Sequence, residues 1–213
     1  MASWARWWPL TGLAFVGLWI GTLAVMGNDV QDSDSDAKIL AYYAKSGNRD
    51  RHVAAFFMIL AATLFFVWFL AKLRERLMRA EGGAGTLTAL AYGAGIASAA
   101  LWIVADAFFA SVSLTRGDTS KFQLDPNTYR IFSDTGYGIW FSGTTIAALT
   151  VAATAVVSLR TGMLPKWLAW LSFPVALTML VAFFFIPFLI MLGWILVIGV
   201  TFMVRKEATA GAA

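Results

Sequence analysis

The sequence predicts an all-α fold, a polytopic transmembrane helix bundle, and three observations carry that prediction. Of the 213 residues, 60% are hydrophobic and 13% charged, whereas a soluble domain carries about 25% charged residues. The apolar residues form runs long enough to cross a ~30 Å hydrocarbon core as helices. Between two of those runs stand Lys72, Arg74, Arg76 and Arg79, then the turn Glu81-Gly82-Gly83-Ala84-Gly85. Cationic loops are retained on the cytoplasmic side, so this basic hairpin orients its two helices and, by alternation, the rest. The chain reads as a single transmembrane domain, 1–213, with spans near 8–27, 52–71, 86–110, 131–158, 167–185 and 187–204 and both termini cytoplasmic.

The net charge of +4 does not indicate a nucleic-acid partner, because the cations cluster at span ends, where they hold loops and meet anionic headgroups. Cysteine is absent, which removes disulfides, thiolate chemistry and Cys-bound metals. Nine cations fall on the cytoplasmic side in this topology (Arg6, Lys72, Arg74, Arg76, Arg79, Arg160, Lys166, Arg205 and Lys206) and seven outside.

The first span follows Trp7 and Trp8, which suit an interfacial belt. It reads as a retained helix, being longer than the ~7 to 15 residues of a signal-peptide core and lacking a small-x-small site near Leu23-Ala24-Val25-Met26. Gly17 and Gly21 give it a GxxxG packing face. The outer loop at 28–51 is acidic in its first half. Asp32, Asp34 and Asp36 have the spacing of a calcium loop, but Ala37 stands where glycine is needed and Tyr43 where the bidentate glutamate belongs. A helix start fits better: Ser33 with Asp36 three residues on, apolar Ile39, Leu40, Tyr42 and Tyr43, and Gly47 as a stop, giving a short amphipathic helix on the outer membrane surface.

The second span is dense in Phe56, Phe57, Phe65, Phe66, Trp68 and Phe69 and is expected mostly to face lipid. The third is rich in glycine, alanine and serine, as helices buried among helices are, with Gly95 at a contact. Gly82, Gly83 and Gly85 lack the Gly-Lys-Ser/Thr of a phosphate loop and read as a turn. Asp125-Pro126 is an N-cap followed by proline at the first helical position. A helix from there to 158 is ~50 Å long, so its first turns, with Tyr129 and Arg130, project outside. Gly136, Gly143, Ala147, Thr150, Thr154 and Ser158 fall on one face, read as helix packing ahead of a hydroxyl-lined pathway. The uncharged run at 167–204, ~57 Å as one helix, folds back, with Pro187 the expected break.

Together, Ala41-Tyr42-Tyr43-Ala44, the hairpin Phe69-Leu70-Ala71-Lys72-Leu73-Arg74 to Ala80-Glu81-Gly82-Gly83, and Thr161-Gly162-Met163-Leu164-Pro165-Lys166-Trp167-Leu168 resemble a group of small actinobacterial six-span membrane proteins of unknown function. The resemblance covers most of the chain. It implies a bacterial plasma-membrane location and brings no catalytic residue, cofactor or substrate.

No catalytic set is expected. The single histidine rules out multi-histidine metal or haem sites within one chain, Ser98 has no base at its level, and no cofactor or metal follows from the residues. Asp134, one turn after Arg130, is read as its local ion-pair partner. Asp106 stands apart, because it lies inside the third span on the face of Tyr92, Gly95 and Ala99, and intramembrane carboxyls are costly. Hairpin geometry puts it within two turns of His52. Three readings stay open: a structural pair with His52, Arg51 or Arg130, a proton or cation site, or an aspartate in water at the helix end. The functional expectation is a non-enzymatic accessory, assembly or sensing protein, with a small proton- or cation-linked transporter or channel using Asp106 as the alternative. Expected partners are the lipid bilayer and either another membrane protein or a second copy of the chain.

Overall fold

The structure, a computed structural model, describes residues 7–119 and 121–204. Arg6, Arg205 and Lys206, three of the cations assigned to the cytoplasmic side, lie outside the described residues. Among those described there are seven helices and no strand: α1 Pro9–Met26, α2 Asp36–Ala44, α3 Ser46–Glu81, α4 Thr86–Asp118, α5 Pro126–Thr161, α6 Lys166–Met179 and α7 Ile186–Val204. Five of them, α1, α3, α4, α5 and α7, are long and apolar enough to cross a membrane.

The α3–α4 hairpin forms at the basic turn. Gly82, Gly83 and Gly85 all take positive φ (63°, 55° and 63°), a region closed to most side chains. The Glu81 carboxylate accepts from Leu87 N at 2.9 Å and Thr88 N at 2.7 Å, satisfying two amides at the start of α4 that have no helical partner. Arg74 lies over the Tyr92 ring and Arg76 over Trp8. Trp8 also packs against Phe202 at 5.1 Å and Gly199 approaches Pro9, so the start of α1 and the end of α7 share the hairpin end.

The core is α4 on α5. Over an 18-residue apolar stretch of each of these five helices, α5 is 61% buried and the other four 39 to 44%. The small-residue stripe is the reason. A Cβ on Gly143 would stand 3.0 Å from Leu101 Cβ, and one on Gly136 3.2 Å from the Ala105 carbonyl. Thr150 Oγ1 donates to the Ala91 carbonyl at 2.8 Å, and Gly136, Ala147, Thr154 and Ser158 are buried. The stripe is a packing surface. Gly95 is closed by Leu70, whose side chain would lie 2.6 Å from a Cβ at that position.

Several expectations need correction. Gly17 has open space around it, while Gly21 meets Met58 and α1's other tight contact is Gly12 on Phe69. GxxxG spacing marks a face without saying that the chain covers it. Trp8 is buried at 6% and Phe66 at 3%, so neither faces lipid; Phe66 lies 4.7 Å from Phe15 and 5.2 Å from Trp102. Phe57, by contrast, is exposed. The N-cap of α2 is Ser35, not Ser33, and Gly47 lies inside α3, which begins six residues before His52. The polar residues there build a joint: Arg49 donates to the Tyr43 and Ala44 carbonyls and Asn48 to that of Tyr42, capping the end of α2.

Helix α5 starts as the Asp125-Pro126 pair predicts, with Asp125 accepting from Asn127 N. The break in the last apolar run comes earlier than Pro187: α6 ends at Met179, and turns at 180–185 lead into α7. At 14 residues, α6 spans only ~21 Å. Hydroxyls on α5 satisfy part of the irregular backbone, Tyr137 donating to the Phe183 carbonyl and Thr145 to that of Met179.

Candidate functional site: a pocket around Asp106

At the end of the bundle opposite the hairpin, the chain builds a cap. Helix α2 buries Ile39 and Tyr43 completely, in a cluster with Val30, Val112, Leu124 and Tyr129. Its apolar side therefore packs on protein. Arg130 locks the preceding loop: its Nε donates to the Asp32 carbonyl at 3.0 Å, and its Nη2 to the Asp34 carbonyl at 2.9 Å and Asp36 Oδ1 at 2.7 Å. Tyr129 Oη donates to the Val30 carbonyl at 2.8 Å. Neighbours on one turn of α5 thus hold a loop about a hundred residues away in sequence.

The three loop aspartates have separate duties. Asp34 caps Gln31 N and pairs with Lys38, and these contacts hold its carboxyl below the ordinary value. Asp36 pairs with Arg130. Asp32 is partly buried beside Ser133 and Asp134, and desolvation, its largest influence, pushes its carboxyl up. Arg130 turns to the loop and not to Asp134, correcting the local pair read from their spacing. Among the described residues no group of three or more His, Asp or Glu is arranged to hold a metal ion.

Beneath this cap lies a partly open cavity of about 270 Å³, bounded by α1, α3, α4, α5, the loop after α1 and the α6–α7 turn. Asp106 and His52 both line it, so the predicted juxtaposition forms. The predicted ion pair does not. His52 Nε2 lies 3.2 Å from Asp29 Oδ1 and 3.4 Å from the Tyr42 hydroxyl, Arg51 is exposed, and Arg130 is committed to the loop. Asp106 is 5% exposed, its Oδ2 has no hydrogen-bond partner, and it makes no ion pair among the described residues. That burial also excludes an end-of-helix aspartate in water, since α4 runs on to Asp118.

Two further lining groups share this condition: the Tyr43 hydroxyl and Trp19 Nε1 are buried without partners. Two other buried indoles are satisfied, Trp102 by Thr144 at 3.2 Å and Trp194 by Ser172 at 2.8 Å. Unsatisfied polar atoms in a folded interior are few and each asks for a reason. Here three gather in one pocket.

The pocket ends on aromatic rings. Trp19, Trp140 and Phe185 line it and rest on Phe188, at 4.6, 5.1 and 5.8 Å, and Phe188 rests on Trp102 at 5.6 Å. Below, Phe66 and Phe15 continue the packing. Sequence reasoning found Asp106 and His52 but missed Tyr43, Trp19, Trp140 and Asp29. Their shared feature, convergence from separate helices, leaves no local pattern. No protein-family model, curated protein or solved structure matches the chain.

Proposed function

We propose that this is a multi-pass protein of a bacterial plasma membrane that binds a small molecule in the pocket around Asp106 and acts as a non-enzymatic sensing, accessory or assembly component. The observation that carries this reading is the aromatic lining, since a cavity walled by Trp19, Trp140 and Phe185, with Phe188 packed behind them, suits binding better than passage. The basic hairpin end is the cytoplasmic one in this reading, and the α2 cap faces outside. Support comes from Lys72, Arg74, Arg76, Arg79, Arg160 and Lys166 standing at one end against Glu75 and Glu81 among the described residues, and from Trp7, Trp167 and Trp170 exposed there as an interfacial belt. With α6 and its turn as a short sixth crossing, both termini are cytoplasmic. The resemblance to the actinobacterial group supports the bacterial setting.

The second reading, a proton- or cation-linked transporter, is favoured by one observation: Asp106 is buried without a counter-charge. Proteoliposomes under a pH gradient separate the two. The binding reading expects no proton flux above empty liposomes; flux that disappears in Asp106→Asn establishes transport instead. Orientation is checked in a chain without native cysteine. An impermeant maleimide on intact cells should label Ser33→Cys and Lys121→Cys and leave Ala84→Cys untouched; the reverse pattern inverts the topology.

A further inference from the structure

We infer that the pocket takes a protonated amine carried on a small apolar body, with the Asp106 carboxylate as its counter-charge. This rests on the binding reading and specifies the ligand class. Three features of the pocket lead to it.

The first is charge. Asp29, His52 and Asp106 are the ionisable lining groups besides tyrosines, and no lysine or arginine lines the pocket. Asp29 already has His52 at 3.2 Å. Asp106 has nothing opposite it, and an uncompensated carboxylate in an apolar interior is costly. A proton removes the charge but leaves a buried donor without an acceptor. An ammonium group supplies both the opposite charge and N–H donors to the carboxylate.

The second is the lining. Trp19, Trp140 and Tyr137 present aromatic surface near the same space, and ring faces attract organic cations more strongly once water is excluded. The third is what the pocket lacks. A calcium ion takes six to eight oxygens, often with several carboxylates, and one free carboxylate among mostly apolar side chains does not provide them. A cavity of about 270 Å³ is at the small end of ligand sites, ~300 to 1,000 Å³, so the body is small.

The test compares phenethylammonium with 2-phenylethanol, its neutral counterpart of nearly equal shape, by calorimetric titration at pH 7. The protein is held in lipid nanodiscs, with empty nanodiscs subtracted for partitioning. The wild-type protein should bind the amine at least about tenfold more tightly than the alcohol, the scale of a hydrogen bond to a charged group. In Asp106→Asn the preference should vanish through loss of amine affinity, with alcohol affinity unchanged. Equal affinity of the two compounds in the wild-type protein overturns the amine while leaving the pocket as a binding site, and needs no variant to fold. A preference that persists in Asp106→Asn overturns the role of Asp106. Binding of neither compound overturns both the amine and the binding reading beneath it.

Discussion

The two ends of this bundle are built on different terms. Towards the hairpin, Phe69, Leu70, Leu73, Leu77, Val151, Val157, Leu164 and Leu168 are all buried, and glycines bring helices into contact. Towards the cap, polar side chains bridge a loop, a short helix and two long helices, and a cavity keeps three polar atoms without partners. The difference teaches where stability and function divide. Polar groups left unsatisfied cost stability, and of the six such side-chain atoms among the described residues three belong to residues lining this cavity.

If the hairpin half supplies the stability, the largest losses belong to its close contacts. Gly95→Leu and Gly143→Leu should each lower stability by more than about 3 kcal/mol, since even one methylene too many costs ~1 to 3 kcal/mol in a packed core. Gly17→Leu, in open space, should be near neutral. Thermal denaturation in mild detergent reads all three, and a similar fall for Gly17→Leu would erase the distinction between packed and open helix faces.

The cap should respond differently. Arg130→Ala removes donors from two loop carbonyls and the ion pair to Asp36, a loss of about 1 to 2 kcal/mol with water replacing part of it. The effect should be local: faster hydrogen exchange and proteolysis within 28–36, with α4 and α5 unchanged. Protection lost across the whole bundle would make the cap part of the main cooperative unit.

A smaller contrast sets two phenylalanines of α3 apart. Phe66→Leu should cost on the order of 1 kcal/mol, because its ring packs between Phe15 and Trp102, and Phe57→Leu almost nothing. Equal melting temperatures for the two would place Phe66 outside the core.

How far the sequence was legible follows from the range of the signal. Asp125-Pro126 as a helix start, the glycine turn after Glu81 and the small-residue faces of α4 and α5 are local patterns, and each has its expected structure. Phe66 and Trp8 misled because an apolar side chain suits lipid and protein interior equally. The early start of α3 was hidden because Asn48 and Arg49 look like loop residues while their side chains cap α2. At the site, hairpin register brought Asp106 near His52, but the choice of partners depended on Asp29 and on the loop that Arg130 holds, contacts made over 23 residues for Asp29 to His52 and 94 for Arg130 to Asp36. Sequence spacing placed the carboxylate and left its partners unread.

The central claim is that Asp106 is kept for what it binds and not for what it holds together. The most direct measurement is the melting temperature of Asp106→Asn in lipid nanodiscs without added ligand. A carboxyl without a partner predicts a melting temperature equal to or above that of the wild-type protein, because the amide removes an uncompensated ionisable group at nearly constant shape. A fall of several degrees would mean that Asp106 holds a buried cation in the folded protein, and would contradict the account.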